Sequence, residues 1–373
     1  MEVKNPFLLN SYISPEYFCN RDKESARIIE SIESGRHLTL ISERRIGKTV
    51  LLKHVFYKLK KQKDYACFYI DIHSTGSLND FLKMMADGII GKLDSVPEKA
   101  IKMASTFLSN LRPTISVDSL TGEPSVEFDI VRKGKQRETL KEIIQYLDKQ
   151  KRHIVIAIDE FQQVESYDEK SIEELLRSHF MQSKNISFIF SGSSTHILNA
   201  MFGTHNRPFF KSTDIMYLDK IEKNVYKKFI KKHFEKTSKT IPDECMDYVL
   251  EWTRTHTWYV QMLCNKLFYL PIKNYSLENI TTTCFNTLQE NEHVYYSFRN
   301  LLSDSQWKLL RAIAKEEFVL QPMAKEFIRK YELGAQSTIQ RSLQALVQKE
   351  MIVQSEEGYY LLDVFMSRWL ERL

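Results

Sequence analysis

What the sequence lacks narrows its class before any motif is read. No run of about 18 apolar residues occurs in the chain, so no membrane-spanning helix is expected. The amino terminus, Met-Glu-Val-Lys-Asn-Pro, has no apolar segment behind a basic start, so no export leader is expected and a cytoplasmic location is the default. Cysteine is sparse and scattered: Cys19, Cys67, Cys245, Cys264 and Cys284 are odd in number and never stand in a C-x-x-C spacing. That argues against a disulfide framework and against a zinc site, and leaves reduced thiols in or near the core. A strong charge of one sign is missing too. The formal net charge of +5 is mildly basic, which suits a protein that meets nucleic acid and equally many that do not.

What is there is a chain of 373 residues, 43% hydrophobic and 27% charged, the composition of a soluble globular protein. At roughly 100–200 residues per domain it has room for two or three. From about residue 24 to 214, apolar β-rich runs alternate with helical patterns, which predicts a parallel sheet with crossover helices. The strands are expected at His37–Ser42, Ala66–Ile72, His153–Ile158 and Ile186–Ser191, and the helices at Lys48–Lys61, Leu78–Lys92, Lys135–Lys149 and Ser171–Met181. An insert at about residues 112–131 reads as a β-hairpin, with alternation on both sides of Thr-Gly-Glu-Pro. It is either a surface decoration or a contact for a partner or neighbouring subunit.

Beyond about residue 218 helical periodicity takes over, punctuated by Pro242 and Pro271. From Ser303 the pattern changes to helices at Ser305–Lys315, Pro322–Tyr331 and Gln336–Lys349, then short strands at Ile352–Ser355 and Tyr359–Leu362 around Glu-Glu-Gly. Three helices and a β-wing describe a winged helix. The expected division is thus a nucleotide-binding core over 1–217, a helical lid over 218–300 and a winged helix over 301–373.

The chemistry centres on LTLISERRIGKTVLL, an apolar strand that runs into a loop and then into a helix opening with Gly47, Lys48 and Thr49. Phosphate binding needs this order, because successive backbone N–H groups and a helix N-terminus must converge on the anion. The nucleotide-binding set is accordingly Ser42, Glu43, Arg44, Arg45, Ile46, Gly47, Lys48, Thr49 and Val50. Lys48 would reach the β- and γ-phosphates of ATP and the Thr49 hydroxyl would bind Mg²⁺. Ser42 stands where the pattern G-x-x-x-x-G-K-[ST] has its first glycine. If that position demanded a positive φ, serine would cost roughly 1–2 kcal/mol. If it demands only a small side chain, serine costs little, and the retained Gly47 favours this second reading.

A second apolar strand, HIVIAIDEFQQV, ends in Asp159 and Glu160, as a central parallel strand does when it delivers carboxylates to its C-terminal edge. Asp159 would hold Mg²⁺, directly or through water, and Glu160 would orient and deprotonate the attacking water. A third strand, ISFIFSGSS, ends in Ser191 and Ser193, which are either polar sensors beside the γ-phosphate or an ordinary Ser-Gly strand end.

These residues carry a resemblance. FCNRDKE, SERRIGKT, IDEFQ, SGSS, NRPFF and THTWYVQ together resemble the archaeal-type ATPase family of the AAA+/STAND P-loop NTPases, similar in architecture to origin-recognition ATPases. The resemblance implies an α/β fold: a P-loop AAA+ core with a parallel sheet, an α-helical lid and a winged helix. It implies that Phe18 and Arg21 lie near the adenine or ribose and that Arg207 is an arginine sensor or finger. Two departures stand out: Asn20 replaces a usual glycine, and Arg254-Thr255-His256-Thr257 replaces a G-G-H-P-type lid motif.

For partners, the winged helix suits DNA, yet its third helix offers Arg341 and Lys349 beside Glu350, and its wing carries Glu356 and Glu357. DNA binding and a protein-interaction or packing role both remain open. So do two readings of Lys220, Lys223, Lys227, Lys228, Lys231, Lys232, Lys236 and Lys239 in the lid, a solvated helix face or a nucleic-acid footprint. A homo-oligomer is expected if an arginine must arrive from a neighbour. The leading functional reading is a slow Mg-dependent ATPase that drives a conformational switch. The alternative is a nucleotide-bound scaffold or DNA-binding transcription regulator that does not hydrolyse.

Overall fold

The computed structural model describes residues 3–9, 11–93, 108–117, 124–130, 134–355 and 358–373. Packing divides the chain into two units, Ser11–Asp219 and a second that joins the N-terminal residues as far as Asn10 to Lys220–Leu373.

In the first unit five parallel strands form a sheet in the order β2-β5-β6-β1-β7: β1 Leu38–Ile41, β2 Tyr65–Asp71, β5 His153–Asp159, β6 Ile186–Gly192 and β7 Asp214–Tyr217. Strand alternation sends side chains to both faces. Leu38, Leu40, Val155, Ala157 and Ile189 pack with α1 (Asp22–Glu33) and α2 (Lys48–Leu59). Ile154, Ile156, Ile158, Phe188 and Phe190 pack on the other face with α3 (Leu78–Met85), α4 (Gln136–Asp148), α5 (Ile172–Phe180) and α6 (Thr195–Gly203). A sheet buried on both sides explains why its central strands read as unbroken apolar runs. Helix α3 continues through a π-turn at Ala86–Ile90 to Leu93, one residue beyond the expected Leu78–Lys92 span.

The insert forms antiparallel strands β3 (Leu111–Val117) and β4 (Pro124–Ile130); its turn lies outside the described residues. More than surface decoration, it shares the core, since Val126 and Phe128 are buried there. The Phe128 N–H donates to Asp87 Oδ1 at 2.7 Å, and burial pushes that carboxyl up to about 6.

In the second unit the helices are α7 (Lys223–Glu235), α8 (Asp243–Trp252), α9 (Thr257–Tyr269) and α10 (Leu277–Asn300). Phe7 is fully buried there against Phe229, Phe234 and Phe268. Its carbonyl accepts from Asn265 Nδ2 at 2.8 Å, while Asn5 Nδ2 donates to the Asn265 carbonyl at 3.0 Å. The winged helix follows as α11 (Asp304–Glu316), α12 (Lys325–Tyr331), α13 (Gln336–Gln348), β8 (Ile352–Ser355), β9 (Gly358–Leu361) and α14 (Val364–Leu370). Ser303 and Gln306 close a capping box at the start of α11. Phe365 and Trp369 belong to the core of this part, as packing residues do. Glu356 and Glu357 of the wing lie outside the described residues.

The cysteines are all free: Cys67 is half-buried and the others are buried. Among the described residues no helix is long and apolar enough to cross a membrane.

Candidate active site

The strand order explains how distant segments meet. β6 lies between β1 and β5, so the loop after β1 and the carboxylates after β5 flank the serines that end β6. β2 pairs with β5 on its other side, with Tyr69 opposite Ala157 and Asp71 opposite Asp159.

Gly47 caps α2 with φ +103°, a conformation that L side chains rarely adopt, and this is why glycine stands there. Arg45, two residues earlier, also has a positive φ of 64°. Ser42 is not among the positive-φ residues; it is buried, with its hydroxyl donating to the Glu43 carbonyl at 3.0 Å. Serine therefore carries no left-handed penalty at this position. Ile46 is buried under the loop, Arg44 and Arg45 are exposed, and Glu43, Thr49 and Val50 are half-buried.

Asp159 is the hub. Only 3% exposed, it takes Lys48 Nζ at 3.1 Å, Ser191 Oγ at 2.6 Å and the Glu160 N–H at 3.1 Å on Oδ1. Its Oδ2 accepts from Thr49 Oγ1 at 3.0 Å and Tyr69 OH at 2.6 Å. Burial pushes this carboxyl up, but the Lys48 ammonium and the Ser191 and Tyr69 hydroxyls outweigh it and hold the group below the usual carboxylate range. Burial, then the neighbouring Asp159 charge, push the Tyr69 hydroxyl far up, so it remains a donor.

Glu160 has a φ of 55°, a left-handed turn that directs the chain away as β5 ends. Ser193 Oγ donates to its carboxylate at 3.0 Å, Gln162 Nε2 also donates to it, and Lys48 Nζ lies 3.7 Å away. Arg44 Nε reaches Ser193 Oγ at 3.3 Å. Gly192 has a close-approach role: a Cβ there would meet Gln162 Oε1 at 1.9 Å, so glycine lets Gln162 lie across the end of β6.

The other expected site residues are held differently. Phe18 stacks on His54, with ring centroids 4.2 Å apart. Arg21 is buried, paired with Glu24 at 2.8 Å, and donates to the Asp219 carbonyl at 2.6 Å. Asn20, where the resemblance expects glycine, has φ 54°; asparagine is among the residues that tolerate this region best. Arg207 is engaged by Glu173 and by Glu165 at 2.9 Å; its hydrogen bonds go to these two carboxylates and not to Asp159 or Glu160. In the second unit, Arg254 and Thr255 stand at φ 52° and 54° in the places of the two glycines, and the buried His256 packs against Tyr259.

Tyr69 and Gln162 were not legible as site residues. Tyr69 reads as one more position of an alternating strand, and only the pairing of β2 with β5 carries it to Asp159.

The family described as an ATPase domain predominantly from Archaea matches residues 18–263, and one described as a probable winged helix domain matches residues 293–372. In structure the chain is similar to the Walker-type ATPase PABY2304 of Pyrococcus abyssi, with a TM-score of 0.68 and 18% identity over 99% of this chain and 100% of that one. It is also similar to the ORC2 protein of Aeropyrum pernix in its ADPNP-ADP complexes, with a TM-score of 0.56 and 15% identity over 98% and 97% of the two chains. At such identities the likeness is one of fold. No curated relative matches the sequence.

Proposed function

Since this chain belongs to the family of ATPase domains found predominantly in Archaea, we propose that it hydrolyses Mg-ATP slowly and uses the cycle as a conformational switch. The observation that carries this reading is the convergence of Lys48 and Thr49, at the start of one helix, on Asp159 and Glu160 at the end of a strand 110 residues away in sequence.

The residues suit a bound nucleotide. The first N–H groups of α2 have no intrahelical acceptor and lie in the field of the helix N-terminus, so they bind phosphate oxygens. Lys48 is the cation that follows those phosphates; on binding it exchanges the Asp159 and Glu160 carboxylates for them. Asp159 and the Thr49 hydroxyl are hard oxygen donors. One carboxylate and one hydroxyl completed by phosphate oxygens is a donor set that fits Mg²⁺. When bound, Mg²⁺ neutralises charge on the β- and γ-oxygens. Release of Lys48 leaves Glu160 held by Ser193 and Gln162, oriented to accept a proton from the attacking water. Ser193 also meets Arg44 of the loop and Glu160, which supports a sensor role for it.

The test is a titration with a fluorescent ATP analogue followed by a phosphate-release assay. Lys48→Ala is expected to weaken binding, and Glu160→Gln to keep binding while lowering turnover by about 10²-fold or more. Equal affinity in wild type and Lys48→Ala would end the proposal. Tightly held ADP with no phosphate release would leave only the non-hydrolysing scaffold.

For α7, a nucleic-acid footprint is the alternative to a solvated face. Lys227 pairs with Asp247 at 2.9 Å, and Lys239 donates to the Phe268 and Leu270 carbonyls, so neither serves a phosphate strand. Lys223, Lys228, Lys231 and Lys232 are exposed and form a basic helix face. Duplex DNA titrated at two salt concentrations tests it, with salt-sensitive binding expected. Binding that ignores salt would leave a solvated face.

A further inference from the structure

A cavity of about 410 Å³ in the first unit lies outside the phosphate loop: none of residues 42–50 lines it, nor do Phe18 and Arg21. It is bounded by α2, β2 and the end of the α3 extension, with Tyr12 closing one side. The volume falls in the range of small-molecule sites, roughly 300–1,000 Å³.

Its lining combines two chemistries. Lys53, Lys60 and Lys92 stand on its walls, and no aspartate or glutamate does. Among the described residues none of the three lysines is in an ion pair, whereas others nearby, such as Lys58 and Lys83, have carboxylate partners. Three uncompensated cations around one concavity attract an anion. Most of the remaining lining is aromatic, Tyr12, Phe56, Tyr57, Phe68 and Tyr69, completed by Ile13, Cys67 and Gly88. Tyr57 is 37% exposed, and its ring lies 5.8 Å from that of Tyr12, so the two form one aromatic wall. Lys53 Nζ stands 5.8 Å from the Tyr69 ring centroid. A planar base stacks on such rings whatever its identity, and its phosphate is met by the lysines.

We propose that this cavity binds a nucleotide unit, an aromatic base carrying phosphate, separately from the nucleotide of the phosphate loop. Tyr69 belongs to both places: it lines the cavity, with the lining Lys53 over its ring, and its hydroxyl holds Asp159. An occupant therefore touches the residue that positions the carboxylate, and occupancy is coupled to the centre through one side chain.

The experiment uses the full chain saturated with Mg-ADP, titrated with a fluorescent guanosine monophosphate and, separately, with a six-nucleotide single strand. ADP retention is measured first, so failure of the phosphate-loop reading is seen independently. The expected result is saturable binding of at least one probe, weakened at least tenfold by Lys60→Ala/Lys92→Ala and by Tyr57→Ala, with ADP affinity unchanged. Binding of the monophosphate marks a free nucleotide as occupant, and binding of the strand alone marks a nucleotide within a chain. The proposal is overturned if neither probe binds the ADP-loaded protein, or if wild type and the lysine variant bind alike.

Discussion

The hydroxyl of Tyr69 donates a 2.6 Å hydrogen bond to Asp159 Oδ2, the same oxygen that accepts from Thr49. This bond ties the edge strand β2 to the carboxylate proposed to serve the metal, and it competes with the metal for that oxygen. Tyr69→Phe is therefore expected to lower stability by about 1 kcal/mol, as for a typical lost hydrogen bond. The same change should reduce the Mg²⁺ concentration needed for half-maximal phosphate release by a few-fold. Chemical denaturation and a Mg²⁺ titration check the two effects, and an unchanged or raised Mg²⁺ requirement would refute the competition.

Arg207 is a structural residue in this arrangement. Glu173 is 9% exposed, and Arg207 is its charge partner, so Arg207→Ala leaves a nearly buried carboxylate unpaired. A loss of about 2 kcal/mol is expected, less than the roughly 3–5 kcal/mol of a fully buried pair because Arg207 is partly exposed. Adding Glu173→Gln should recover part of it. Identical melting temperatures for wild type and Arg207→Ala would show that the pair contributes nothing.

The N-terminal segment works as part of the second unit. Phe7→Ala empties a site enclosed by Phe229, Phe234 and Phe268, and about 3–5 kcal/mol of stability should go with it. Differential scanning calorimetry reads the loss. No shift in any transition would mean that the ring is dispensable.

Acid should destabilise the first unit through His37. Burial, helped by His153, pushes the His37 imidazole down to about 4, and its Nδ1 accepts the Phe188 N–H at 3.1 Å, which requires the neutral ring. The unfolded chain titrates near 6.5, so it takes up a proton first as pH falls. Stability is then fully present above about pH 6.5 and is lost as pH drops towards about 4. Between pH 7 and pH 5 the loss from this group should be about 2 kcal/mol. His37→Gln should flatten that part of the stability profile measured by urea unfolding. An unaltered slope would rule His37 out as the source.

Much of the arrangement was legible from local pattern. The strand–loop–helix order around Lys48 and the apolar strand before Asp159 are properties of consecutive residues, and period-two and 3.6-residue repeats report them directly. Harder to read was β7, since Asp214–Tyr217 is four residues long and half polar, as suits an edge strand. The hairpin was visible as alternation, but its burial against the core was not, because alternation does not say which surface covers it.

The sequence by itself determined which segments become strands and helices, and it marked Gly47, Lys48, Thr49, Asp159 and Glu160 as candidates, because backbone preference and hydrophobic period act over a few residues. Tertiary structure alone decided which candidates meet. The order β2-β5-β6-β1-β7 brings Tyr69 and Ser191 to Asp159, gives Arg207 to Glu165 and Glu173, and leaves Ser42 free of a left-handed backbone. Strand pairing joins residues about a hundred positions apart, and no local pattern encodes that choice of neighbour.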